Sequence, residues 1–208
     1  MNNKEFTIVG WGIAGATIAW QLYLKMIKFK VYDSTENHSS KVAAGIVNPI
    51  VFKRLTKSWN ADLLMPYAED FYNVIESDLG IKFIEKKYIY KLFSSFEDEN
   101  NWMVKQQDDR FSKYLLPVNN KKINYAIANF GYGVVNTFGN MNTELFLEKS
   151  KSFFASKGVE FTENFFDYTG SIQNNTNIVF CEGSAMKNNP YFGELPLKPT
   201  HGEVIIIE

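Results

Sequence analysis

Two short apolar runs, Phe6-Thr7-Ile8-Val9 and Phe29-Lys30-Val31-Tyr32, have strand character. Between them, Ile13 to about Ile27 reads as a helix, with the small residues Ala14, Ala16 and Ala19 near its start. The order strand, glycine-rich turn, helix, strand predicts a βαβ unit with a right-handed crossover. No glycine closes this helix, because Met26-Ile27-Lys28 stands where a C-terminal cap belongs.

Ser34 to Ser40 is polar and loop-like, and Lys41 to Pro49 is rich in small residues. A long amphipathic helix is expected from Trp59 to Leu79. Leu63, Leu64, Tyr67, Phe71, Val74 and Ile75 recur there at helical spacing, and Gly80 takes the capping position. Pro66 marks either its first turn or a break. Ile81 to Phe93 predicts one or two strands joined near Glu85-Lys86-Lys87, and a short helix is expected around Glu97 to Gln107. Strand character returns at Gly131 to Asn136. Asn142 or Thr143 can cap a helix that runs to Ser156 and closes at Gly158. Val159 to Phe161, Phe165-Phe166 and Asn177 to Cys181 are strand-like.

The character changes near Ser58 and Phe130. The expected organisation is one discontinuous domain over 1–58 and 130–208, with 59–129 inserted. Val204 to Ile207 reads as a buried strand with no following partner, so the chain is expected to be cut from a longer protein.

Composition narrows the classes of function. The 208 residues carry a net charge of −1, which gives no basic stripe for nucleic acid. No run of about 18 apolar residues predicts a membrane span. No leader-like segment precedes the first strand, and a cytoplasmic location is expected. The single cysteine, Cys181, excludes an intrachain disulfide and reads as a small buried hydrophobe rather than a redox thiol. No Cys/His cluster has metal spacing, so no metal site is expected. A Ser-His-Asp arrangement has no local signature either.

The chemistry is concentrated in Gly10-Trp11-Gly12-Ile13-Ala14-Gly15. In a dinucleotide-binding turn the first glycine allows the tight bend, the second lets pyrophosphate approach the backbone, and the third lets helix and strand pack closely. The helix N-terminus offers N–H groups and partial positive charge to the phosphates. Asp33 lies 18 residues beyond Gly15, near the spacing of a ribose-binding acid, and its alternative role is a strand-end turn residue. The motif alone leaves FAD and NAD both open.

Four stretches resemble the FAD-dependent oxidoreductases of the D-amino-acid oxidase and glycine oxidase superfamily, in particular a bacterial branch of unassigned substrate. They are Val9 to Gly15, Ser39 to Pro49, Val179-Phe180-Cys181-Glu182-Gly183, and Leu197 to Glu203. The resemblance implies an α/β fold: a Rossmann-like FAD-binding domain with an inserted, incomplete α+β substrate domain. It implies FAD contacts at Gly10, Gly12, Ile13, Ala14, Gly15, Asp33 and Ser34. It adds Ser40, Lys41, Ala43, Ala44 and Gly45 beside phosphate and ring, Asn48 near the isoalloxazine, and Gly183. The other reading of Ser40 to Gly45 is a small-residue loop packed on a neighbouring helix. His201 stands where relatives often carry Lys or Arg, and His38 reads as solvated.

The activity implied is oxidation of a C–N bond in a small amine or amino acid by hydride transfer to flavin N5, with no catalytic residue assigned. Two alternatives stand beside it: a non-catalytic or truncated FAD-binding fragment, and a NAD-dependent Rossmann dehydrogenase.

Overall fold

The computed structural model describes residues 5–34, 39–119, 126–170, 177–200 and 202–205. In chain order its elements begin with β1 (Phe6–Val9), α1 (Ile13–Leu24), β2 (Phe29–Tyr32), β3 (Ile50–Val51), β4 (Thr56–Lys57) and α2 (Ala61–Leu79). Next come β5 (Ile84–Glu85), β6 (Ile89–Leu92), α3 (Phe96–Gln106), β7 (Leu115–Asn119), β8 (Tyr132–Val135) and β9 (Asn140–Met141). The last are α4 (Thr143–Ser156), β10 (Phe161–Thr162), β11 (Asn177–Phe180) and a 3-10 turn over Gly183–Asn188. The chain forms two compact units, residues 1–44 with 142–208, and residues 45–141. These limits differ from the change of sequence character near Ser58 and Phe130, because β3 with β4, and β8 with β6 and β7, pair inside the second unit.

The first unit is built on a parallel sheet in the order β10-β2-β1-β11. Ile8 and Val31 are fully buried in adjacent strands, as near-continuous apolar runs in parallel sheets require. Helices α1 and α4 pack together, and Trp20 fills their contact. Its indole N–H donates to Ser150 Oγ at 2.8 Å, and its ring stacks on Phe153 at 4.9 Å. Trp20 therefore buries a large apolar body without orphaning its N–H. Trp11 does the same, donating to the Leu147 carbonyl at 3.2 Å and meeting Phe161 edge-on at 4.9 Å.

Helix α1 stops at Leu24, three residues before the expected Ile27. Met26 adopts a left-handed φ of 56°, and the N–H groups of Met26 and Ile27 donate to the Tyr23 and Leu22 carbonyls. This is a Schellman-type cap with methionine where glycine is usual, which explains why the sequence carried no stop signal. Asn142 caps α4, its Oδ1 accepting from Leu145 N–H at 3.0 Å. Strand β10 covers only Phe161–Thr162, so Phe165 and Phe166 lie outside it. Val204 and Ile205 are exposed and lie in no strand, contrary to the buried strand expected there. Residues 206–208, and with them the rest of that segment, lie outside the described residues.

The second unit holds the antiparallel sheet β6-β8-β7, the hairpin β3-β4 and the pair β5-β9. Strand β7 was not legible in the sequence because Pro117 and Asn119 mask its pattern; a β-bulge between Leu116 and Asn119 accommodates them. Trp102 on α3 is fully buried and donates its indole N–H to the Leu116 carbonyl at 3.0 Å. Gly133 on β8 makes room for that ring, since a Cβ there would stand 2.2 Å from it.

Helix α2 buries Ala61, Phe71 and Ile75, whereas Leu63, Leu64, Tyr67 and Val74 are exposed, so the apolar pattern overstates its core face. Pro66 lies within the helix, neither in its first turn nor at a break. The same helix buries Glu76, whose Oε1 accepts from Phe83 and Ile84 N–H at 2.8 Å each, while Oε2 pairs with Lys82 Nζ at 2.6 Å. Burial alone would raise the Glu76 carboxyl, but these donors outweigh it and hold the group below the ordinary glutamate value. A lowered folded value contributes stability that is present above the unfolded pKa and lost as pH falls through the folded one. Glu76→Gln should therefore cost about 2 kcal/mol at pH 7, and the gap to the natural protein should shrink in acid. Denaturant titrations at pH 7 and below pH 4 test this; an equal gap at both would contradict it.

Candidate functional site

Strand β1 pairs with β2 on one side and with β11 on the other, so the strand order reverses at β1. Such a switch point opens a crevice at the carboxyl ends of the strands. A pocket of about 560 Å³ lies there, entirely within the first unit. Its rim includes Gly10, Gly12 and Ile13 from the glycine turn, Asp33 and Ser34 after β2, and Glu182 and Gly183 after β11.

The glycines answer separate constraints. Gly10 has φ of 101°, and a Cβ there would stand 2.4 Å from the Cys181 carbonyl oxygen. Gly15 is buried against the turn itself: its Cβ would lie 2.0 Å from the Gly10 oxygen. Gly12 is different, because its nearest neighbour is Ser40 Oγ, a movable side-chain atom at 3.0 Å. Gly10 and Gly15 are thus required by the fold, while Gly12 keeps the pocket face bare. The first N–H groups of a helix lack intrahelical partners. Here Ile13 N–H donates to Ser40 Oγ at 3.1 Å, and Gly12 and Ala14 flank it on the same pocket.

Asp33 is held in place by its neighbours. Its Oδ1 accepts from Trp11 N–H at 3.2 Å, and its own N–H donates to the Thr162 carbonyl at 3.0 Å. The carboxylate thereby tethers the glycine turn to the end of β2.

Across the pocket, Tyr168 donates its hydroxyl to Glu182 Oε1, and Asn189 Nδ2 donates to Oε2 at 2.6 Å. Burial, reinforced by the Glu182 carboxylate, pushes the Tyr168 phenol up to about 12, so it stays a donor at neutral pH. Burial likewise raises the Cys181 thiol, with Glu182 adding to the effect. Cys181 is therefore a poor thiolate.

The expected contact residues divide into two groups. Gly10, Gly12, Ile13, Ala14, Asp33, Ser34, Ser40 and Gly183 line the pocket, with Gly15 buried behind it. Lys41, Ala43 and Ala44 belong to the same unit but do not line it. Gly45 and Asn48 belong to the second unit. Gly45 has φ of 66° and presses on the Met141 backbone, while Asn48 Oδ1 accepts from Ile50 N–H at 2.9 Å. His38 and His201 lie outside the described residues. Asn164, Phe165, Phe166, Tyr168 and Glu182 also line the pocket. Glu182 falls within a stretch that carries the resemblance, and the parallel pairing of β10 with β2 brings the segment that follows β10 beside Asp33. Among the described residues, no three side chains form a metal-binding group and no helix is long and apolar enough to cross a membrane.

No protein-family model matches the sequence. Solved structures do match. L-proline dehydrogenase from P. horikoshii aligns over 94% of this chain and 57% of its own, with TM-score 0.67 at 14% identity. Glycine oxidase from Bacillus cereus ATCC 14579 aligns over 85% of this chain and 54% of its own, with TM-score 0.61 at 16% identity. The chain shares their fold. L-amino acid deaminase from Proteus vulgaris adds a third likeness, with TM-score 0.61 and 13% identity over 86% of this chain and 47% of its own. The chain spans about half the length of these structures.

Proposed function

We propose that the pocket at the head of β1 binds FAD and that the protein belongs to the flavin-dependent oxidation of small amines or amino acids. The observation that carries this reading is the joint placement of Gly12, the α1 N-terminus and Asp33 on one pocket at a switch point. The fit is specific in chemistry. Bare backbone and helix N–H groups suit a pyrophosphate, and a carboxylate suits ribose hydroxyls. Likeness to glycine oxidase, L-proline dehydrogenase and L-amino acid deaminase favours FAD over NAD and C–N bonds over other donors.

In this reading Gly10, Gly12, Ile13 and Ala14 hold the pyrophosphate, and Asp33 and Ser34 receive the ribose. Ser40 serves as a hydroxyl beside the phosphates, and Gly183 lets the chain pass the cofactor closely. Bound FAD supplies the two-electron acceptor; the protein orients it and the amine. A second reading is FAD binding without turnover.

The test is anaerobic mixing of the FAD-loaded protein with glycine, proline and a panel of larger amino acids, followed by flavin absorbance. Bleaching by at least one amine supports the oxidase reading. A flavin spectrum that none of them bleaches favours the second.

A further inference from the structure

We propose that α2 and the β3-β4 hairpin form a docking face for a second copy of this chain, in an antiparallel, two-fold symmetric pair. The face lies within the second unit and does not depend on the FAD reading. Trp59, between β4 and α2, is 83% exposed. Leu63, Tyr67, Asp70 and Val74 follow at steps of four, three and four residues, so they share one side of α2. That alternation is the seam by which one helix packs on another. Yet Leu63 is 66% exposed, Tyr67 56% and Val74 45%, while Phe71 and Ile75 on another side of the helix are buried. Exposed tryptophan and tyrosine are residues that protein interfaces favour.

The surrounding charge fits a copy of the same chain. Lys53 and Arg54 are exposed at the turn of the hairpin, and β4 leads from them into the start of α2. Lys57 pairs with Asp62, tying the hairpin to the first turn of the helix. Glu69 and Asp70 are exposed half-way along α2, and Asp78 is exposed in its last turn, which holds no basic residue. Among the described residues, none of Lys53, Arg54, Glu69, Asp70 and Asp78 makes an ion pair. Carboxylates toward a helix C-terminus also oppose its dipole. A parallel pair of copies would set like charge on like. An antiparallel pair centred on Leu63 sets Leu63 against its own copy and Trp59 against Tyr67 of the second copy. Asp70 lies about 10 Å beyond Leu63 along the axis, at the end where the second copy brings Lys53 and Arg54. Each contact then occurs twice, as a two-fold interface requires. Trp59 and Tyr67 together offer on the order of 300 Å², so with the flanking side chains the face suits a weak dimer rather than an obligate one.

The experiment is sedimentation equilibrium at low ionic strength, on the natural protein and on Leu63→Asp, Arg54→Asp, Asp70→Arg and the last two combined. The natural protein should dimerise with a dissociation constant of about 10–100 μM. Leu63→Asp brings two carboxylates together at the centre and should leave only monomer. Arg54→Asp and Asp70→Arg should each weaken the dimer about 10-fold, since each sets like charge on like twice. Combined, they should restore it. Thermal melts of all variants should coincide within about 2 °C, because every changed side chain is exposed. A natural protein that stays monomeric at about 300 μM, or a dimer indifferent to Leu63→Asp, would overturn the docking face. A dimer that Leu63→Asp disrupts but the combined exchange does not restore would overturn the antiparallel arrangement.

Discussion

Gly12→Asp should abolish FAD uptake while leaving the protein folded. The position tolerates a side chain because, among the described residues, the nearest neighbour of a Cβ is Ser40 Oγ, a movable side-chain atom at 3.0 Å. What it cannot tolerate is charge, since the new carboxylate would occupy the bare pocket face meant for pyrophosphate. Two like charges about 4 Å apart repel by roughly 4 kcal/mol at the effective dielectric of a protein surface, which corresponds to about a 1000-fold loss of affinity. Steric exclusion adds to that loss. Gly15→Ala provides the contrast. Its Cβ would stand 2.0 Å from the Gly10 oxygen, so that variant should lose stability as well as binding. Thermal melts beside FAD titrations separate the two. Normal FAD affinity in Gly12→Asp would place the pyrophosphate elsewhere.

Trp102→Ala should be the most destabilising single change in the second unit. The indole is fully buried in a cluster with Phe93, Tyr114, Leu115 and Val135, and Gly133 is kept small to admit it. Deleting a buried tryptophan costs about 3–5 kcal/mol, and here the Leu116 carbonyl also loses its donor. A melting temperature lower by about 8 °C or more is expected. A shift of only a degree or two would mean that α3 does not seal this core. Because Trp102 belongs to the second unit and the pocket to the first, FAD affinity measured below the melt should change little.

The parts legible in the sequence are those that local chemistry dictates. β1, β2, α4 and the glycine turn follow from apolar runs, an Asn cap and backbone close approach, all within a few residues of one another. The early stop of α1 was hidden because Met26 accepts a left-handed conformation that glycine would have announced. Leu63, Leu64, Tyr67 and Val74 repeat at helical spacing yet remain exposed, so periodicity gave the helix but not its covered face. Strands of two residues such as β3, β4 and β9 are too short to show alternation. Phe165 shows the limit for the site. A Phe-Phe pair reads as strand, whereas Phe165 and Phe166 lie beyond β10 and line the pocket.

In the proposed reading this pocket takes FAD by its pyrophosphate and ribose. Titration of the purified protein with FAD, and in parallel with NAD, tests it most directly through flavin fluorescence and heat of binding. One FAD per chain is expected, with a dissociation constant of roughly micromolar or tighter, and no comparable binding of NAD. Saturable NAD binding with no FAD uptake would contradict it.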